Sequence, residues 1–289
     1  MPSTPGPVVH THAEAAEYAD NHRGAAPAGS NDFSCRPSSE HPKPVILAHG
    51  TDSNSYSDFA ALAPLLAESG WCVFVLNYGL AAGDEEYGTG DIRVSAAQLG
   101  GFVDTVRAAT GATRSTSSAT RRAPLSPVIT STNSAARRRR PLGRCRVAEL
   151  RRNLLRSRCR CRADTRSGGD RRGVVLRSAR PATRGSELLA EVNTPTDTVP
   201  GVRYTTIGTN VDEVIQPPGN VALHSSGALN YVIQELCPPN LTGHFNMVYD
   251  PFSLSLMRHA LDPDRYGLGE CVPVALGTGI PEMIIQSNF

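Results

Sequence analysis

Between residues 114 and 184 this chain gathers 21 of its 29 Lys and Arg residues, all of them Arg, against three acids (Glu149, Asp164, Asp170). The same stretch contains no Phe, Tyr or Trp. The remainder holds eight basic and 24 acidic residues and every aromatic, so the formal charge of +2 is the cancellation of two unlike parts. A segment that cannot bury apolar surface cannot offset the entropy of ordering its backbone. Any core must therefore come from the two flanking blocks, and residues 113–184 are expected to be disordered or non-native within the fold those blocks make.

The flanking blocks alternate strand and helix signals. Residues 44–48 (PVILA) form a short apolar run stopped by His49-Gly50, which reads as a buried strand. Residues 58–69 place Phe59, Leu62, Leu65 and Leu66 at helical spacing, with Gly70 as the stop. Residues 72–76 (CVFVL) are a second buried strand. Asp91 is a cap for a helix running to about Thr110, with Ile92, Val94, Leu99, Phe102, Val103 and Val106 expected on its inner face. Strand, helix, strand, helix with short links predicts an α/β fold with a mostly parallel sheet and right-handed crossovers. Beyond the Arg-rich stretch, a short helix is expected over 186–192, strands over 202–208 and 228–236, and a last helix from Asp250-Pro251 to Leu261.

Residues 1–43 lack a sustained period and read as an extended N-terminal arm; residues 264–289 read as a loose C-terminal tail. One α/β domain over 44–263 lies between them. His10 and His12 have no further ligands in a metal-binding spacing, so they read as solvated surface and no metal is expected. No run of about 18 apolar residues exists to span a membrane, and residues 1–7 do not read as a signal peptide. Cys145, Cys159 and Cys161 lie in the Arg-rich stretch; Cys35, Cys72, Cys237 and Cys271 lie outside it. An even four fits either disulfides in an oxidising compartment or buried thiols.

The ordered text resembles the actinobacterial branch of the secreted α/β-hydrolase lipases. The matching segments are SCRPSSEHPKPVILAHGT (34–51), LAPLLAESGWCVFVLNYG (62–79), GSELLAEVN (185–193), YTTIGTNVDEVIQP (204–217) and CPPNLTGHFNMVYDP (237–251). The resemblance implies an α/β-hydrolase fold, helices on both faces of the sheet, and Ser, Asp and His in that chain order. It implies ester hydrolysis without a cofactor, a lipid or small ester as substrate with contact to a lipid interface, and secretion. His244 matches the base. Asp212 matches the acid, with Glu213 beside it as rival. Thr51 matches the residue whose backbone N–H stabilises the oxyanion. His49 reads as structural. Cys35 and Cys72 match positions the family joins by a disulfide.

The nucleophile is what the resemblance does not supply. No G-x-S-x-G occurs in the chain, and residues 113–130 contain no apolar run, so no buried strand is expected there. The stretch reads as coding sequence translated out of frame. Shifting the frame one base earlier permits the peptide QVDLVGHSQGALVTRYY, an apolar strand, a nucleophile turn and the start of a helix; its serine would straddle the codons of Thr120 and Arg121. The chain as written is then expected to have little activity, with Ser115, Ser117 and Ser118 the nearest stand-ins, and to fold poorly because the sheet lacks its middle strand. The other reading gives the stretch a role of its own. Arg137, Arg138, Arg139 and Arg140 and the run over 144–162 could bind nucleic acid or an anionic membrane, with Arg151, Leu154, Leu155 and Arg158 as one amphipathic turn. The absence of aromatics and Lys argues against a nucleic-acid partner.

Overall fold

The computed structural model describes residues 1–119, 128–132, 190 and 193–286. Among the described residues six strands form one sheet in the order β4-β3-β5-β6-β7-β8, and two more, β1 (Thr4–Pro5) and β2 (Ala25–Ala26), pair separately. The six are β3 (Val45–Ala48), β4 (Val73–Leu76), β5 (Thr116–Ala119), β6 (Val128–Thr132), β7 (Val202–Gly208) and β8 (Leu229–Val232). β4, β3 and β5 are mutually parallel, β6 is antiparallel to both neighbours, and β7 and β8 are again parallel. The chain has a mixed α/β fold.

Alternation along the strands divides the core. Val45, Leu47, Val73 and Val75 face one layer, with Tyr56 and Phe59 of α2 (Ser55–Phe59), Leu62 and Leu66 of α3 (Leu62–Glu68), and Leu256 and Met257 of α6 (Pro251–Leu261). Ile46 and Phe74 face the other, under Phe102 and Val106 of α4 (Ile92–Thr110). Helices thus cover both faces.

The element starts follow local chemistry. Asp91 accepts the N–H groups of Arg93 and Val94, and Gly111 closes α4 in the left-handed region at φ 71°. Asp250 accepts the Ser253 N–H, with Pro251 in the first turn of α6. The expected helix over 58–69 is two helices. It starts earlier, at the Asn54 cap, and breaks after Ala60, because Pro64 has no N–H to give the Ala60 carbonyl and sits in the first turn of α3. Val94 is 56% exposed rather than on the inner face. It lies one residue, about 100° of arc, from the buried stripe through Ser95, Phe102 and Val106.

Four expectations need larger correction. The N-terminal arm contains α1 (His12–Asn21), capped by a Thr11–Glu14 box and buried through Ala15 and Ala19. Its inner face is alanine, which leaves no strong hydrophobic stripe. The strand expected over 228–236 stops at Val232 and turns into the short helix α5 (Ile233–Leu236). The tail is anchored: Cys271 is bonded to Cys237, Val274 exchanges backbone hydrogen bonds with Pro239 and Leu241, and α7 (Ile280–Gln286) contacts α1. Backbone pairing and a disulfide hold it, so no side-chain period announces it. Finally, Thr116–Ala119 is a strand despite having no apolar run, and β3 keeps a neighbour on both sides. Pairing is a backbone property, and a polar segment can supply the ladder. The helix expected over 186–192, the three cysteines and the arginine runs of residues 137–162 lie outside the described residues, Ala190 excepted.

Candidate active site

The parallel strands β3, β5, β7 and β8 end at the same edge of the sheet, and the residues singled out in the sequence follow those ends. After β3 the chain makes the turn His49-Gly50-Thr51. His49 is fully buried; its Nδ1 donates to the Gly50 carbonyl at 2.8 Å and its Nε2 accepts the Tyr78 N–H at 3.1 Å. Both ring nitrogens are engaged, so His49 is a structural part of the turn. The Gly50 N–H goes to Asp58 at 2.8 Å, and the Asp52 and Ser53 N–H groups go to the Tyr87 carbonyl at 3.0 and 3.3 Å. The Thr51 N–H, between them, has no hydrogen-bond partner among the described residues. Gly88 packs against this turn at φ 75°, where a Cβ would lie 2.8 Å from the Thr51 Cα.

Asp212 lies in the loop after β7. Its Oδ1 accepts the N–H groups of Val214 at 2.8 Å and Ile215 at 2.6 Å, an Asx-type turn that fixes the carboxylate. The Gln216 side-chain amide donates to the Asp212 carbonyl. His244 lies in the loop between α5 and α6, and its Nδ1 is 2.8 Å from Asp212 Oδ1 and 3.0 Å from Oδ2. Asp212 is 2% exposed and His244 6%. A buried carboxylate on Nδ1 sets the tautomer with the proton there, leaving Nε2 as the basic nitrogen. The Asp212/Glu213 alternative has a geometric answer: Asp212 takes the ring, while Glu213 accepts the His244 backbone N–H at 2.5 Å. Gly243 permits this, because a side chain there would collide with the Glu213 carboxylate.

The loop of His244 is braced on several sides. Thr209 donates to the Thr242 carbonyl at 2.7 Å, Gln234 to the Asn240 carbonyl at 2.8 Å, and Asn240 to Asp250 at 3.0 Å. Burial holds Asp250 above the ordinary carboxylate range, against the lowering effect of the Ser253 N–H and Asn240 amide. Tyr249, whose hydroxyl donates to the Ser57 carbonyl at 2.6 Å, is pushed well above the usual phenol value by burial and then by Asp58.

The expected nucleophile position, Thr120 and Arg121, lies outside the described residues. Ala119 is in register with Ala48, so β5 ends level with β3, the strand that leads into the turn of His49, Gly50 and Thr51. Ser115 precedes β5, at the opposite end of the strand from that turn; Ser117 and Ser118 are inside it, in register with Ile46 and Leu47. None of the three serines follows the strand end. Cys35 and Cys72 form a disulfide with a Cα–Cα distance of 5.8 Å, tying the arm to the start of β4. His12 is not surface: its side chain is 12% exposed and its Nε2 lies 3.9 Å from Asp58 Oδ1. Among the described residues no group of three or more His, Cys, Asp or Glu side chains could hold a metal ion. Sequence reasoning passed over Asp58, Gly88 and Gly243. Gly243, directly before His244, was the one with a visible signal. No protein-family model matches the chain, and no curated protein matches it.

Proposed function

We propose that the chain has an α/β-hydrolase scaffold built for hydrolysis of carboxylic esters, acylglycerols included, and that as written it lacks the nucleophile. The observation that carries this reading is the buried Asp212–His244 couple, 2.8 Å apart, at the sheet edge that also bears the Thr51 N–H, uncommitted among the described residues. In such a site a serine oxygen attacks the ester carbonyl while Nε2 of His244 takes its proton. The Thr51 N–H holds the oxyanion, and the protonated imidazole, stabilised by Asp212, returns the proton to the departing alcohol. Water then repeats the sequence on the acyl-enzyme, with His244 again as base. The reaction needs no cofactor. Two disulfides fit an oxidising compartment.

The missing serine is attributed to a frame slip that begins ahead of Thr120 and Arg121 and is compensated by about residue 185. Sequencing the gene across codons 105–190 tests this: two compensating one-base changes should separate it from an intact relative. The full chain as written should hydrolyse p-nitrophenyl butyrate near background and resist a fluorophosphonate. The frame-restored chain should turn the ester over and be labelled on the restored serine, and Asp212→Asn in it should cut kcat about 10⁴-fold, as in serine proteases. An inert frame-restored chain, or full turnover by the chain as written, defeats the proposal.

A further inference from the structure

The turn that carries Thr51 is held by a buried carboxylate that the hydrolytic sequence above does not use. Asp58, on α2 and 2% exposed, accepts the Gly50 N–H through Oδ2 at 2.8 Å and the Ser53 hydroxyl through Oδ1 at 2.6 Å. These two donors flank Thr51 in the chain. Three of the four successive N–H groups from Gly50 to Ser53 are therefore committed, to Asp58 or to the Tyr87 carbonyl, and the orientation of the fourth is set by its neighbours.

A second contact links this carboxylate to the base. His12, on α1, places Nε2 3.9 Å from Asp58 Oδ1 and Nδ1 3.0 Å from the Met283 sulfur on α7. Its ring lies edge-on to Phe245 and Tyr249, centroids 6.2 and 6.1 Å away, and Phe245 is in turn edge-on to His244 at 5.3 Å. One imidazole from the N-terminal arm thus touches the brace of the Thr51 turn, the loop of His244 and the C-terminal helix.

We infer that Asp58 is the positioning residue of the oxyanion turn and that His12 joins it to the His244 loop; this rests on the hydrolase reading of Thr51. A donor aimed in advance stabilises a developing oxyanion without reorganising, whereas an unbraced turn would rotate its peptide toward water. Asp58 fixes the turn because an ionised carboxylate takes two donors at once in short, charge-assisted bonds. Asparagine would turn an NH₂ toward one of those donors. Burying the carboxylate is costly unless hydrogen-bond donors compensate it, and Gly50 and Ser53 supply two.

The test uses the ¹⁵N-labelled full chain and butyrate, the carboxylate product of a short ester. In the wild type the Thr51 amide resonance should shift saturably with butyrate, and the Gly50 amide should exchange slowly. Asp58→Asn should weaken the Thr51 response about tenfold, the loss expected for one charge-assisted hydrogen bond, and speed Gly50 exchange by a similar factor. Asp58→Glu should restore part of the response, which a merely structural residue would not require. His12→Gln, a milder change that leaves the core intact, should weaken the response about threefold. A folded Asp58→Asn or His12→Gln chain with unaltered Thr51 and Gly50 behaviour overturns the corresponding assignment. Were the wild-type chain to show no butyrate response at Thr51 or at the His244 ring, the hydrolase reading would fail instead, and Gly50 exchange would still decide whether Asp58 braces the turn.

Discussion

Replacing both Cys237 and Cys271 by Ala cuts the bond that ties the C-terminal tail to the loop leading to His244. The bond joins residues 34 apart in the chain. For a loop of that length the chain-entropy estimate is about 12.6 cal/mol/K, or about 3.8 kcal/mol at 25 °C. With a urea slope of about 3 kcal/mol/M, the midpoint should fall by about 1.3 M. Trp71, the chain's single tryptophan, is 7% exposed and its ring lies 5.3 Å from that of Tyr266, so its fluorescence reports on the start of the tail. The double substitution of Cys35 and Cys72 is the matched control. Its separation of 37 gives nearly the same entropy, so any excess loss at Cys237–Cys271 measures native contacts of the tail. Those contacts include the hydrogen bonds from the Val274 N–H to the Pro239 carbonyl and from the Leu241 N–H to the Val274 carbonyl; the Val274 and Leu241 amides should lose exchange protection. A loss below about 1 kcal/mol at an unchanged slope would refute the reasoning, because it would mean that the tail does not constrain the His244 loop.

Three further outcomes follow from the geometry. Burial, and then Tyr18, raise the Tyr56 phenol from 10.0 to about 12, so its contribution to stability is complete below pH 10 and lost as pH climbs through 12. Tyr56→Phe should remove that alkaline loss, at a cost of about 1 kcal/mol for the bond to the Pro7 carbonyl, as read by phenolate absorbance and unfolding against pH. Leu47→Ala should cost about 2–5 kcal/mol in chemical denaturation, since Leu47 is fully buried between the sheet and the helices of the larger cluster. Gly88→Ala forces a Cβ against the Thr51 Cα at a left-handed φ; it should cost about 1–3 kcal/mol and abolish the butyrate response of the Thr51 amide.

Residues 45–48 and 73–76 were legible as strands because both faces are buried, which leaves an uninterrupted apolar run, and Asp91, Gly70 and Asp250-Pro251 were legible because helix ends have local chemistry. The resemblance pointed to Asp212, His244 and Thr51, and the structure sets Asp212 against His244 and leaves the Thr51 N–H uncommitted among the described residues. The anchored tail left no comparable mark, and the helix in the arm left only its Thr11–Glu14 capping box, with no apolar stripe behind it. Their stability comes from alanine packing, backbone pairs and a disulfide between residues far apart in the chain.

The amino-acid order by itself determined the α/β alternation, the helix caps and the compositional break at residues 113–184, because each depends on neighbours within a few positions. Only the tertiary structure decided that Asp212 rather than Glu213 takes the ring of His244, that a polar segment pairs with β3, and that Asp58 and His12 meet beneath the Thr51 turn. Those are meetings between residues dozens of positions apart, and their energy depends on distances of a few ångströms that local propensity cannot encode.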